Sequence, residues 1–298
     1  MEAVIRALRR QDAEYPKLLA AISDAPDTLF IRGTFPDSAA PRVAIVGTRK
    51  ATTEGKRLAR DLARELASRG VVIVSGLALG IDAAAHEGTL DAKGTTVAVL
   101  ANGLDAVYPA SNEHLAERIV AMGGALISEY PVGTPALPHQ FLARNRIVSG
   151  LSLGIVIIEA PIHSGALATA RHTADQGREI FVTPGPTGHP NFEGSHMLLR
   201  NGARLVTSAD DILEDLGLET ACTTEAPESE RMMPQEFTRT ERVIVEYLGS
   251  TQTPRSLDAV VEATGLPPEV VSRDLTLLSL DGAVEERAGM FMIKHIRS

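Results

Sequence analysis

The 298-residue sequence contains one cysteine, Cys222, so no disulfide framework can form within the chain. No run approaches the roughly 18–20 apolar residues of a membrane-spanning helix, and no secretory signal precedes Arg6, Arg9 and Arg10. A cytoplasmic protein without a membrane span is expected. Two phosphate-binding signatures are also missing. A dinucleotide fingerprint needs GxGxxG with an acid near the end of the second strand; a Walker loop needs four residues between its glycines, then Lys and Ser or Thr. Here the sequence reads Gly47-Thr48-Arg49, Gly47 and Gly55 are too far apart, and Arg57 follows Lys56. Asp82 and His86 stand four apart on one helical face, but metal sites use three or four ligands. The expected arrangement is structural, with Asp82 bonding loop amides and His86 packed beside it. No cofactor or metal is called for.

Hydrophobic residues make up 44% of the chain, enough to bury a core, and the length suits one large domain plus a small one. The net charge of −9 argues against a polyanionic partner until it is divided along the chain. Residues 219–238 carry −4, residues 239–298 carry −2, and residues 1–218 carry only −3. The acidity is concentrated in 219–238, which with Pro227 and Pro234 reads as a linker. A local basic pocket on the near-neutral remainder is compatible with these numbers.

An apolar run over 43–46 ends on Gly47, then come Thr48, Arg49 and Lys50. A helical pattern covers 53–69, with Leu58, Leu62 and Leu66 at four-residue spacing and Gly70 where a left-handed cap belongs. A second apolar run over 71–74 ends on Ser75-Gly76. Strand, helix and strand in so short a stretch make a βαβ unit, which implies a parallel sheet. The alternation continues, with helices predicted over 80–90, 112–122, 166–176 and 196–201 and strands over 96–100, 125–128, 153–158, 179–183 and 203–206. The fold class is α/β, a Rossmann-like parallel sheet over 41–218. Residues 1–40 read as a short amphipathic segment with turns, ahead of the first strand. The tail, 239–298, reads as three helices and a hairpin turning at Ala288-Gly289, which is a winged helix.

Ligands of such sheets bind beyond the C-terminal ends of the strands. Gly47, Thr48, Arg49, Lys50, Ser75 and Gly76 fall there, and small side chains, backbone N–H groups and cations suit a phosphate. If the glycines only made tight turns, Arg49 would be an unexplained charge at the mouth of the sheet. Phe141, Arg144, Asn145 and Arg146 form a second group; Phe141 and Arg144, three apart, share a helical face. An aromatic beside basic groups suits single-stranded nucleic acid, whose bases stack and whose phosphates pair. A core phenylalanine with hydrated arginines fits the same residues equally well. Ser164-Gly165 opens a helix whose free N–H groups form an anion site.

These residues together carry a resemblance. Val46-Gly47-Thr48-Arg49, then 75–82 reading Ser-Gly-Leu-Ala-Leu-Gly-Ile-Asp with His86, is similar to the DprA/Smf family of DNA-processing proteins. Gly103-Leu104-Asp105 with Tyr108-Pro109, Ser128-Glu129-Tyr130-Pro131, Arg144-Asn145-Arg146, Glu159-Ala160 and Pro184-Gly185 extend it over roughly 15–216. The resemblance implies a Rossmann-like core that binds single-stranded DNA without catalysis and loads the RecA recombinase onto it in natural transformation. It also implies a homodimer joined through the core. For that interface His196, Met197 and Leu198, late in the sheet, are the candidates. Many relatives carry a longer helical N-terminal domain, for which forty residues are too few.

The competing reading is a nucleoside-monophosphate phosphoribohydrolase-like enzyme of the related Rossmann-like group. Those enzymes use PGGxGTxxE, with the glutamate needed for chemistry. The corresponding stretch here is Pro161-Ile162-His163-Ser164-Gly165-Ala166-Leu167-Ala168-Thr169, which lacks both central glycines and the glutamate. In the tail, a DNA-reading third helix should be basic on its free face. That face offers Ser272, Arg273, Thr276 and Ser279, which favours a protein contact over duplex reading.

Overall fold

A computed structural model of the chain describes residues 4–37, 39–218, 238–251, 254–280, 284–287 and 290–293. It divides into two compact units, Met1–Cys222 and Thr223–Ser298. The expected linker lies outside the described residues except for Thr238, as do Cys222 and the hairpin turn at Ala288-Gly289.

The first unit runs β1 (Ile5–Arg9), α1 (Lys17–Ala20), β2 (Thr28–Gly33), β3 (Arg42–Val46), α2 (Thr53–Ser68), β4 (Val72–Ser75), α3 (Ile81–Asp91) and β5 (Thr96–Val99). It continues through α4 (Glu113–Ala121), β6 (Ala125–Ser128), α5 (Pro138–Gly150), β7 (Gly154–Ile157) and α6 (Gly165–Asp175). The last elements are β8 (Glu179–Val182), α7 (Glu193–Arg200), β9 (Arg204–Leu205) and α8 (Ala209–Asp215). The nine strands form one sheet in the order β1-β2-β6-β5-β4-β3-β7-β8-β9. From β6 to β9 every neighbouring pair is parallel.

The parallel strands are short apolar runs because helices cover both their faces. All residues of β3, β4 and β7 are buried. One face packs against α1, α5 and α6, through Leu19, Ile147, Val148 and Leu167. The other packs against α2, α3 and α8, through Leu62, Leu66, Ala85 and Ile212, with α4 alongside. Leu62 and Leu66 are buried as their spacing predicts, but Leu58 is 37% exposed. A strict four-residue step drifts around the 3.6-residue turn, so the row leaves the buried face at its end.

Chain direction then positions the ligand crevice. From β3 the chain winds outward through β4, β5 and β6, returns to β7 beside β3, and winds the other way through β8 and β9. The switch point lies between β3 and β7, and in open α/β sheets that is where ligands bind.

Two expectations change. Residues 1–40 are not only turns: β2 adds antiparallel to β6 and β1 to β2, with Leu29 and Ile31 fully buried. β1 is the edge strand and β2 lies between it and β6; Arg6, Arg9 and Arg32 break their apolar stretches short, so no long run announces them. The helix expected at 196–201 begins earlier, at Glu193. Its first turn is buried through Gly194 and Ser195, whose N–H groups both donate to the Ala160 carbonyl, at 2.9 and 3.2 Å. Small residues chosen for close approach leave no apolar period to read.

The second unit contains α9 (Arg239–Ser250), β10 (Arg255–Ser256), α10 (Leu257–Thr264), α11 (Pro268–Leu280), β11 (Val284–Arg287) and β12 (Met290–Ile293). Ile244, Leu248, Val260, Val271, Leu275, Leu278 and Phe291 make its core, and a three-stranded sheet, β10-β12-β11, completes a winged helix. On α11, Arg273 is paired with Asp274 at 2.7 Å, and Ser279 keeps its hydroxyl oxygen buried rather than on the free face. Among the described residues no helix is long and apolar enough to cross a membrane.

Candidate functional site

Beyond the C-terminal ends of β3 and β7 the first unit opens into a cleft of about 570 Å³. Its walls are residues 46–50, Gly76 and Ala78, the α5 face carrying Phe141, Arg144 and Asn145, and the loop 161–164 leading into α6. Gly47 is required here, since a side chain would collide with Ile81 and the Glu159 carbonyl. The Thr48 N–H donates to that carbonyl at 2.8 Å. Thr52 caps α2 by accepting from the Gly55 N–H at 2.9 Å, while its own hydroxyl and N–H donate to the buried Glu159 carboxylate. The strand-to-helix loop is thereby fixed at both ends, and Arg49 and Lys50 are exposed on it.

Arg49 lies with its guanidinium carbon 5.2 Å from the centroid of the Phe141 ring, within cation–π range. The Tyr108 ring stands 5.3 Å from Phe141, and Tyr108 is 50% exposed. Phe141 is half-buried on the cleft wall, so the core alternative is set aside. Tyr108 was missed as a site residue. It stood out only as part of a family motif, and nothing local ties it to Phe141, which lies on a different element.

Arg144 behaves differently from Arg49. It is 4% exposed. Its Nη1 donates to the Gly76 carbonyl at 2.7 Å and to the Val99 carbonyl, and its Nε to Asn145 Oδ1 at 3.3 Å. The guanidinium packs so closely on Gly76 that a Cβ there would sit 2.7 Å from it. Burial pulls its pKa down to about 10, against the opposing pull of the Asp82 carboxylate, so it stays charged at neutral pH. Burial raises the pKa of Asp82, while Arg144 and two backbone donors hold it back. Those donors are the Gly76 and Ala78 N–H groups, at 3.1 and 3.4 Å, as expected for a loop-bonding aspartate. Between them Leu77 adopts a left-handed conformation, φ 56°, and its carbonyl accepts from Asn112 Nδ2 at 2.9 Å. A non-glycine residue persists there because its surroundings determine it.

His86 is fully buried, with Nδ1 2.7 Å from the Thr96 hydroxyl. That hydroxyl donates to the Ile73 carbonyl, so its oxygen accepts from Nδ1–H, and Nε2 is left without a partner among the described residues. Burial, with Arg144 nearby, lowers the histidine to about 3, so it is neutral.

From the same α5 face Asn145 Nδ2 donates to the Gly165 carbonyl at 3.2 Å, tying α5 to the start of α6. Ser164 caps that helix by accepting from the Leu167 N–H at 3.4 Å. The N–H groups of Gly165 and Ala166 have no partner within the helix, and both residues line the cleft. The wall therefore presents Arg49, Lys50, Arg144 and a helix N-terminus, against Asp82 as its carboxylate.

Two expected residues lie off this wall. Ser75 is buried, its hydroxyl donating to the Ile45 carbonyl at 2.7 Å. Arg146 forms a two-pronged pair with Glu129, at 2.8 and 3.0 Å, and a second pair with Asp24 at 3.1 Å. Its position two residues beyond Arg144 turns it to another face of α5. Among the dimer candidates Met197 is 40% exposed, Leu198 packs against the core, and His196 Nε2 meets the Gly185 carbonyl at 3.1 Å. Among the described residues no group of three or more His, Cys, Asp or Glu is placed to hold a metal.

A doubly wound, mostly parallel sheet with a cationic and aromatic cleft at its switch point, followed by a winged helix, defines a two-unit Rossmann-like binding protein. The family model of DNA recombination-mediator protein A matches residues 6–217, and that of the DprA winged helix domain matches 223–290. The chain belongs to the DNA recombination-mediator protein A family, that of the DprA/Smf proteins. It is 42% identical to Protein Smf of Escherichia coli over 266 residues, 88% of this chain and 71% of that one. With the putative DNA processing protein DprA of Mycobacterium tuberculosis it shares 42% over 258 residues, 86% of this chain but 66% of the relative. The X-ray structure of DprA from Streptococcus pneumoniae superposes with a TM-score of 0.66 at 38% identity, covering 71% of this chain and 74% of that one. DprA from Helicobacter pylori, whose structure is described for a unique single-stranded DNA binding mode, gives 0.63 at 31%, covering 72% and 98%.

Proposed function

We propose that this protein binds single-stranded DNA in the cleft between β3 and β7, without catalysis, and hands the strand to the RecA recombinase during DNA uptake in natural transformation. The observation that carries the binding is the Tyr108–Phe141 shelf with Arg49 against it. Bases stack on the rings, which every base can do, while phosphates meet Arg49, Lys50 and the opening N–H groups of α6. Arg144 adds a buried positive charge beneath them. The H. pylori relative, described as binding single-stranded DNA, supports the same ligand here. RecA loading, the homodimer and a cytoplasmic location rest on family membership.

The enzyme reading is weakened at the position where the related hydrolases carry their glutamate. Thr169 stands there, 2% exposed, with its hydroxyl donating to the Gly165 carbonyl at 3.2 Å. On the winged helix, Arg273 is held by Asp274, which supports a protein contact for that unit over duplex reading.

The test is fluorescence anisotropy with single-stranded and duplex oligonucleotides across a salt series. Neutralising three or four phosphates gives a slope of log K on log salt of about −2 to −3, at ~0.7 per contact. A preference for duplex, or single-strand binding indifferent to salt, would overturn the proposal.

A further inference from the structure

We propose that the strand path continues out of the cleft along a second groove between α2 and α3, where Lys56 and Arg57 take the phosphates that follow those held at Arg49. This rests on the cleft binding single-stranded DNA. The groove measures about 470 Å³ and has Lys56, Arg57 and Arg60 on one bank, Leu79 and Glu87 on the other. It shares a wall with the cleft. Ala78 lines the cleft and the next residue, Leu79, lines the groove. Gly80 packs so tightly under the loop that any side chain would collide with the carbonyls of Thr48 and Arg49, and the Ile81 N–H reaches the Thr48 carbonyl at 3.4 Å. A strand leaving Arg49 meets this groove next.

The charges along α2 change character at the same place. Arg60 is answered by Asp91 at 2.6 Å and Glu87 at 3.7 Å, Arg64 by Asp61 at 2.9 Å, and Arg69 by Asp210. Lys56 and Arg57, like Arg49 and Lys50, are exposed and form no ion pair among the described residues. The unanswered cations are therefore confined to the end of α2 nearest the cleft, with Glu54 the acid among them. Leu79, 46% exposed on the shared wall, offers an apolar rest for a sugar or base between the two sets of cations.

The experiment uses the full chain with two oligothymidines, of about 5 and about 20 nucleotides, chosen to bracket common single-strand site sizes. The Lys56→Gln/Arg57→Gln double variant keeps good helix formers on α2. With the long strand its salt slope is expected to flatten by about 1.4, two contacts at ~0.7 each, with a matching loss of affinity. With the short strand, which the proposal confines to the cleft, slope and affinity stay at the unsubstituted values. A long-strand slope unchanged by the double variant overturns the groove, and so does an equal loss at both lengths, which would mean a general field effect. Arg49→Ala, run beside it, weakens both lengths. If it weakens neither, the cleft reading itself falls, a failure separable from that of the groove.

Discussion

Arg49 and Arg144 bring the same charge to the same cleft and do different work. Arg49 is exposed, without an acid partner among the described residues, and rests on a ring. Arg144 is buried, joins the ends of β4 and β5 through two carbonyls, and opposes the rise in pKa that burial imposes on Asp82. Arg49→Ala is expected to leave folding intact and to flatten the salt slope of strand binding by ~0.7. Arg144→Ala leaves the buried Gly76 and Val99 carbonyls without their donor, a loss of ~1–3 kcal/mol each in unfolding free energy. Urea titration with anisotropy on both variants checks the contrast; a stable Arg144→Ala that has lost only DNA binding would refute it. His86 gives a pH signature. Unfolded it titrates near 6.5; folded, burial holds it near 3. Between those values the unfolded chain binds more protons, so stability is present in full above about 6.5 and is lost as pH falls through about 3. In His86→Leu, Asp82 still titrates but this contribution is gone, so stability should fall less steeply from pH 6.5 downward. Identical acid limbs in urea-midpoint profiles of the two chains would count against the assignment.

At the scale of elements, α5 carries the site and also the limits of reading it from sequence. Phe141, Arg144 and Arg146 look alike as a basic-aromatic cluster, yet the helix sends one to the shelf, one into the core and one to Glu129 and Asp24. Spacing within α5 separates Arg146 from Arg144, but it cannot show that two strand carbonyls and Asp82 wait for Arg144. For the same reason Phe141 stayed open between core and cleft, since its partner Tyr108 comes from a distant loop. The parallel strands were legible because burial on both faces leaves continuous apolar runs. β1 and β2 were not, because arginines cut their apolar stretches short at the margin of the sheet. Phe141→Ala tests the shelf as a unit. Losing a stacking platform should cost about 1–3 kcal/mol of single-strand affinity. A core phenylalanine would instead cost about 3–5 kcal/mol of stability. A large drop in melting temperature with unchanged affinity per folded molecule would retire the shelf.

For the whole molecule, the two edges of the large sheet differ in how they meet solvent. At one edge β1 shows Arg6 and Arg9, and charge on an edge strand discourages pairing with another chain. At the other, β9 is two residues long, and Leu205, 56% exposed, lies on the same edge as α7, which leaves Met197 40% exposed. Met197, Leu198 and Leu199 are consecutive, so a helix cannot bury all three; Leu198 and Leu199 pack on the core, leaving Met197 outside. Beside Arg204, which is paired with Glu179 and Asp215, the exposed Met197 and Leu205 make this edge a candidate contact surface, and a two-fold axis there would set two clefts on one particle. A strand spanning both would bind more tightly than to either cleft alone, by the effective concentration the first contact creates. His196, the third candidate, directs Nε2 to the Gly185 carbonyl at 3.1 Å. Met197→Glu and Leu205→Glu are each expected to shift the protein from dimer to monomer in light scattering, with single-strand affinity falling more for long oligonucleotides than for short ones. Deleting residues 239–298 should leave the dimer in place. A dimer that survives both glutamates but disappears with the tail would move the interface to the winged helix.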